Sequence, residues 1–155
     1  MRLALFEPDI PQNAGTILRL AACLGVGVDL VEPLGFALTD ARLRRAGLDY
    51  WEHAALRRHA SFAAFAEACR AEDARIVLFS SHAAASYADF AFRPSDVLLF
   101  GRESSGVTGA VRAAAGAELR IPLLPGRRSL NVAVAAAMAL GEALRQTAGF
   151  PKTGR

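Results

Sequence analysis

The sequence predicts a single α/β domain built on a mainly parallel sheet, and three observations carry that expectation. Short apolar runs at 3–6, 28–31, 76–79 and 97–100 read as buried strands. Stretches with helical spacing fall between them, and strands that alternate with helices pair in parallel. Proline, glycine or a capping residue punctuates most boundaries. At 155 residues one domain is the default. A chain of this size buries roughly 68–70% of the surface that it exposes when unfolded, enough for a core without staples. Residues 1–150 are expected to form the domain and 151–155 a loose tail.

The elements follow in order. The strand at 3–6 is broken by Pro8 and Pro11. Asn13 is placed to cap a helix running to Leu24, and Gly25 fits its left-handed stop. The strand at 28–31 ends before Pro33. Thr39 or Asp40 caps a short helix through Arg45, with Gly47 after it, and a strand is expected at 54–57. Ser61 opens a helix whose Phe62, Phe65, Ala66 and Cys69 share one face. After the strand at 76–79, a polar, alanine-rich loop runs through His82 to Tyr87. The strand at 97–100 leads into a loop bounded by Gly101 and Gly106, and a short helix begins near Thr108. The last strand is expected at 119–121. Ser129 and Asn131 then open a helix with no charge until Glu142. A helix that is apolar all round is expected to be buried on every side.

Composition narrows the function. A hydrophobic fraction of 53% with 21% charged residues fits a compact protein rather than a disordered one. Cys23 and Cys69 have no metal-type spacing and are expected to be reduced and buried, as in a cytosolic protein. No signal peptide and no bilayer-spanning run is visible, so a cytoplasmic location without membrane partners is expected. The net charge of +3 comes almost entirely from arginine, Lys152 being the only lysine. That excess permits a polyanionic partner without demanding one. His53, His59 and His82 lack ligand spacing, so no metal is expected. No Ser-His-Asp set or pair of carboxylates can be assigned from sequence.

Three motifs carry chemistry. In the segment 11–19, Gly15 and Arg19 are four apart and share a helix face, and the small glycine leaves room beside an arginine suited to phosphate or hydroxyl oxygens. The spacing also fits a solvated arginine next to an Asn cap. In the segment 98–106, a buried strand ends in a glycine-bounded loop, where ligands of parallel sheets bind. Val107-Thr108 stands where a nucleotide-binding P-loop needs Lys-Ser/Thr, and Gly25-Val26-Gly27 lacks the third glycine of a dinucleotide fingerprint. An ordinary tight turn would also explain this loop. In the segment 121–131, Pro125, Gly126, Arg127 and Arg128 lead to the helix N-terminus at Ser129–Asn131, whose free N–H groups suit an anion. A plain capped core helix is the alternative. Basic clusters at Arg42, Arg44 and Arg45, at Arg57, Arg58 and His59, and at Arg127 and Arg128, with Tyr50 and Trp51 near the first, suit RNA as well as a solvated face.

Taken together, these motifs resemble the SPOUT superfamily of S-adenosylmethionine-dependent RNA methyltransferases. The chain is most similar to the minimal single-domain branch that methylates the ribose of the tRNA wobble nucleotide. The likeness runs from Leu5-Phe6-Glu7-Pro8 to Arg145-Gln146 and includes Glu32-Pro33-Leu34-Gly35-Phe36 and the segment 42–50. The resemblance implies a parallel sheet flanked by helices with a C-terminal trefoil knot, which general folding rules would reject. It implies S-adenosylmethionine as cofactor, held by Phe79, Gly101, Ile121, Ser129, Leu130 and Asn131. It implies Arg19, Asn13 and Glu103 as catalytic residues, and Arg42, Arg44, Arg45, Arg127 and Arg128 against the anticodon stem-loop of tRNA. A homodimer meeting through its first and last helices is also implied. Gly141 departs from relatives with tyrosine there, and Ala133-Val134 from relatives with Ser-Asn. Alternative functions are ribose methylation at another tRNA or rRNA position, a non-catalytic RNA-binding module, and a small-molecule enzyme using a nucleotide.

Overall fold

Seven strands form one parallel sheet in the computed structural model, which describes residues 1–39, 41–47 and 55–152. They are β1 (Arg2–Phe6), β2 (Gly27–Val31), β3 (Leu56–His59), β4 (Ile76–Phe79), β5 (Ala85–Ser86), β6 (Val97–Phe100) and β7 (Ala117–Arg120). Their order is β3-β2-β1-β6-β4-β7-β5, with every neighbouring pair parallel. The helices are α1 (Pro11–Leu24), α2 (Ala41–Gly47), α3 (Phe62–Ala71), α4 (Gly109–Ala114) and α5 (Val132–Gln146). Because the strands are parallel, the loops that follow β1, β4, β6 and β7 all leave from one edge. Leu5 and Phe79 both register with Phe100 at that edge.

The two-residue period of the strands divides the core into two layers. Leu3, Leu5, Val77, Phe79, Leu98 and Phe100 face α1 and α5, where Ile17, Leu18, Ala136 and Leu140 are fully buried. Ala4, Phe6, Ile76, Leu78, Val97 and Leu99 face the opposite side with Phe65 and Cys69 of α3 and Val111 of α4. The central strands are buried on both faces, which is why they read as continuous apolar runs.

Most expected boundaries agree with this structure. Ser61 and Thr108 cap α3 and α4 through their hydroxyl oxygens, and Gly25 ends α1 with φ of 67°. Several differ. Helix α1 begins at Pro11, with Ile10 at the cap and no side-chain cap bond. Asn13 is therefore inside the helix, free to use its amide elsewhere. Strand β3 starts at Leu56 rather than 54, and β7 spans Ala117–Arg120 rather than 119–121. Helix α2 runs on to Gly47. Asp40, offered as a cap, and Asp49, Tyr50, Trp51, His53 and Ala54 lie outside the described residues. Cys69 is buried, but Cys23 is exposed because it sits on the outer side of α1.

Helix α5 is not buried on every side of the chain. Ala133, Ala136, Ala139, Leu140, Ala143 and Leu144 pack inward, whereas Val134 and Met138 are 50% and 41% exposed. The core covers one face of this helix, and the outward stripe remains apolar.

The cluster Arg57-Arg58-His59 is structural. Buried Asp29 accepts from Arg2 Nε at 2.7 Å and Arg57 Nε at 3.1 Å, and lies 2.8 Å from His59 Nε2. Glu72 accepts from Nη1 of Arg2 and from both terminal nitrogens of Arg57, and Arg58 pairs with Glu32. Arg57 and Arg58 are thus occupied at the β2–β3 edge and are not a free face for RNA. Removing one member of a buried ion pair leaves the others uncompensated. The Asp29→Asn variant is expected to lose roughly 3 kcal/mol of stability, the low end for such a loss because Glu72 remains. Urea denaturation checks this, and an unchanged midpoint would show the network to be superfluous.

Candidate active site

A cavity of about 590 Å³ opens at the carboxyl ends of β4, β6 and β7. Phe79 and Phe100, adjacent through the β4–β6 register, stack at 5.2 Å with an interplanar angle of 17° and line it. Gly101 follows β6 at a point where the chain doubles back. A Cβ there would stand 2.8 Å from the carbonyl carbon of Gly106, so no larger residue fits without displacement. Arg102 and Gly106 exchange backbone hydrogen bonds of 2.9 and 2.7 Å, and Gly106 takes φ of 70°. These contacts hold the 101–106 loop closed against the cavity.

A line of side chains joins this loop to both flanking helices. Asn131 caps α5, its Oδ1 accepting from the N–H groups of Ala133 at 2.8 Å and Val134 at 3.4 Å. Its Nδ2 donates to Asn13 Oδ1 at 2.9 Å. Asn13 Nδ2 in turn donates to Glu103 Oε1 at 3.2 Å, while Glu103 Oε2 accepts from the Asp9 N–H at 3.0 Å. Asp9 Oδ2 accepts from Arg102 Nε at 3.1 Å and from the Ser104 hydroxyl. The Asp9 Oδ1 atom is buried and, among the described residues, meets no N–H donor.

Two carboxyl groups thus share one corner. Burial pushes the Glu103 carboxyl above its ordinary value, and the neighbouring Asp9 adds to the shift. Asp9 moves the other way, held far down by a hydrogen bond with Glu103 and by those from Ser104 and Arg102. The corner therefore favours negative charge on Asp9, beside Arg102, over negative charge on Glu103.

All six residues expected at the cofactor line the cavity: Phe79, Gly101, Ile121, Ser129, Leu130 and Asn131. So do Asn13 and Glu103. Ser129 does not cap α5; it lies two residues ahead of the cap and faces the cavity. Arg19 is exposed on α1 and is not among the lining residues, and Gly15 is buried in packing instead of lying open beside it. Arg42, Arg44 and Arg45 are exposed on α2. Arg127 and Arg128 line a second cavity of about 240 Å³ beside the first.

Sequence reasoning missed Asp9, Arg102 and the run Ser80-Ser81-His82, which also lines the cavity. Asp9 stands between two prolines just past a buried strand, and Ser80 follows a strand end directly. Both positions mark a parallel sheet's ligand edge.

A cavity of this size at the carboxyl ends of parallel strands, closed by a glycine loop and a capped helix, defines a ligand-binding α/β domain. The chain belongs to the SpoU rRNA Methylase family, whose model matches residues 1–141. It is 58% identical over 154 residues to a tRNA (cytidine(34)-2'-O)-methyltransferase of Ancylobacter novellus, covering 99% of this chain and 98% of the relative. A solved structure reported as giving insights into the 2-OH methylation of C/U34 on tRNA is 50% identical, with a TM-score of 0.89 and 94% of each chain covered. The SpoU methyltransferase AviRb of Streptomyces viridochromogenes, solved with the cofactor AdoMet, is 28% identical with a TM-score of 0.84, over 94% of this chain and 57% of that one.

Asn131 has two separable duties. Asn131→Ala removes the cap and is expected to cost about 0.5–2 kcal/mol, whereas Asn131→Asp keeps an acceptor for the cap, loses the donor to Asn13 and adds a negative charge at the helix N-terminus, where it is favoured. Urea denaturation of the two variants checks this; equal losses would mean that the cap is not what Asn131 contributes to stability.

Proposed function

We propose that this chain transfers a methyl group from S-adenosylmethionine to the ribose 2′-hydroxyl of the wobble nucleotide, C34 or U34, in the tRNA anticodon loop. The observation that carries this reading is the single cavity in which three separate motifs meet, in a chain so similar to a relative of that activity.

The residues fit the cofactor. The volume of about 590 Å³ lies within the usual range for small-ligand sites, roughly 300–1,000 Å³. Phe79, Phe100, Ile121 and Leu130 offer an apolar lining for an adenine ring, and Ser129 with the polar start of α5 offers partners for its charged end. Gly101 leaves backbone within reach where a side chain could not stand. When bound, S-adenosylmethionine supplies an electrophilic methyl group on a cationic sulfur.

The protein's part is to position and to balance charge. Asn13, Glu103 and Asn131 fix α1, the 101–106 loop and the start of α5 relative to one another. Holding two reactants in line supplies much of the rate in such a displacement. Arg19 is assigned to the RNA side, where its guanidinium favours negative charge developing on the ribose oxygen. Arg42, Arg44, Arg45, Arg127 and Arg128 are assigned to phosphates of the anticodon stem-loop, which makes binding salt-sensitive. The same reading implies a trefoil knot in the C-terminal third and a cytoplasmic enzyme. It also implies a homodimer through α1 and α5, for which the exposed Val134 and Met138 supply apolar surface; sedimentation as a monomer would contradict that assembly.

Incubating the protein with methyl-labelled S-adenosylmethionine and tRNA, followed by nuclease mapping, is expected to place the label on the ribose of nucleotide 34. Label on a base, on another ribose, or no incorporation would overturn the reading. Arg19→Ala is expected to lower turnover by about 10²-fold or more while cofactor affinity by calorimetry is kept. Loss of cofactor affinity would instead place Arg19 at the cofactor.

A further inference from the structure

The arginines of this chain divide by partner. Arg2 and Arg57 meet Asp29, Arg75 holds buried Asp96 through two nitrogens at 2.7 and 2.8 Å, and Arg102 meets Asp9. Arg120, Arg127 and Arg128 differ. Among the described residues none of the three has an ion pair, yet all line the same cavity of about 240 Å³. All three are exposed, and cations gathered along one concave surface raise its local attraction for an anion.

Their placement is built by the backbone. Arg120 is the last residue of β7, held by the register with Ser86. Beyond it the loop turns tightly: the Arg127 N–H donates to the Leu124 carbonyl at 3.1 Å, with Pro125 and then Gly126, at φ of 79°, between them. Proline followed by glycine with positive φ is the pattern of a type II turn, which presets the direction in which Arg127 and Arg128 leave. Ser81 adds a hydroxyl to the same space. Ser81, Ile121 and Leu123 line both this cavity and the larger one, so the two adjoin.

We propose that Arg120, Arg127, Arg128 and Ser81 form a phosphate subsite for the RNA strand, taking a backbone phosphate next to the nucleotide whose ribose is methylated. This deepens the reading above and rests on it. Guanidinium forks match phosphate oxygens in geometry as well as charge. The proximity of the two cavities means that one strand can occupy both, so the subsite would fix the reactive nucleotide along the strand. It adds Arg120 to the RNA-binding arginines and gives Arg127 and Arg128 a common ligand.

The test is tRNA binding by fluorescence anisotropy over a range of KCl concentrations, with S-adenosylmethionine affinity measured in parallel by calorimetry. The proteins are the wild type and the Arg120→Gln, Arg127→Gln, Arg128→Gln and Arg128→Lys variants, each checked for folding by circular dichroism. Each glutamine variant is expected to weaken tRNA binding about tenfold, the loss of one charged hydrogen bond. Each should also make the dependence of log affinity on log salt shallower by about 0.7. Arg128→Lys is expected to restore the slope but not the full affinity. Cofactor affinity is expected to stay unchanged. An unaltered slope would overturn the subsite, as would loss of cofactor affinity with tRNA affinity kept, which would give these arginines to the cofactor's carboxylate. Absence of methyl transfer by the wild type would overturn the proposed reaction instead, and the binding slopes would still decide the subsite.

Discussion

A hydrogen bond from Asn131 to Asn13 joins residues 118 positions apart at 2.9 Å, and the site depends on the line of side chains that it begins. From Asn13 the line passes to Glu103 and from there to the backbone and carboxylate of Asp9. Each member belongs to a different segment: the start of α5, the first turn of α1, the loop after β6 and the turn after β1. The parallel sheet brings these segments to one edge, but only to within loop tolerance. Side-chain hydrogen bonds of this kind remove the remaining freedom and hold a site in working geometry.

Charge is divided between different parts of the sheet. Asp29 and Asp96 are fully buried and each is met by arginine, so neither is left uncompensated. Those pairs lie at the opposite, amino-terminal side of the strands or at the sheet's edge, where they secure structure. Arg120, Arg127 and Arg128, which have no ion pair among the described residues, line the smaller cavity instead.

Much of this was legible in the chain itself. The four apolar runs at β1, β2, β4 and β6 announce a buried parallel sheet, and Ser61, Thr108 and Gly25 mark helix ends by local hydrogen bonding or positive φ. The six residues expected at the cofactor were named from the family likeness, not from spacing, and all six line the cavity. Other features depend on tertiary contacts that no local pattern encodes. Asn13 resembles a cap by composition, yet Pro11 starts the helix two residues earlier and releases its amide for Glu103. Strand β3 is Leu56-Arg57-Arg58-His59, whose charges disguise a strand because Asp29, Glu72 and Glu32 neutralise them across the sheet. The partnership of Asp9 with Glu103 spans 94 positions and had no local signal beyond its bracketing prolines.

If the line of side chains acts as one unit, its links must be energetically coupled. A double-mutant cycle in S-adenosylmethionine affinity tests this, using Asn13→Ala and Asn131→Asp, the latter chosen because it leaves the helix cap in place. The account predicts a coupling of about 0.5–3 kcal/mol between the two sites. Additive effects, with a coupling under about 0.3 kcal/mol, would contradict it and reduce the hydrogen bond between the two asparagines to a bystander.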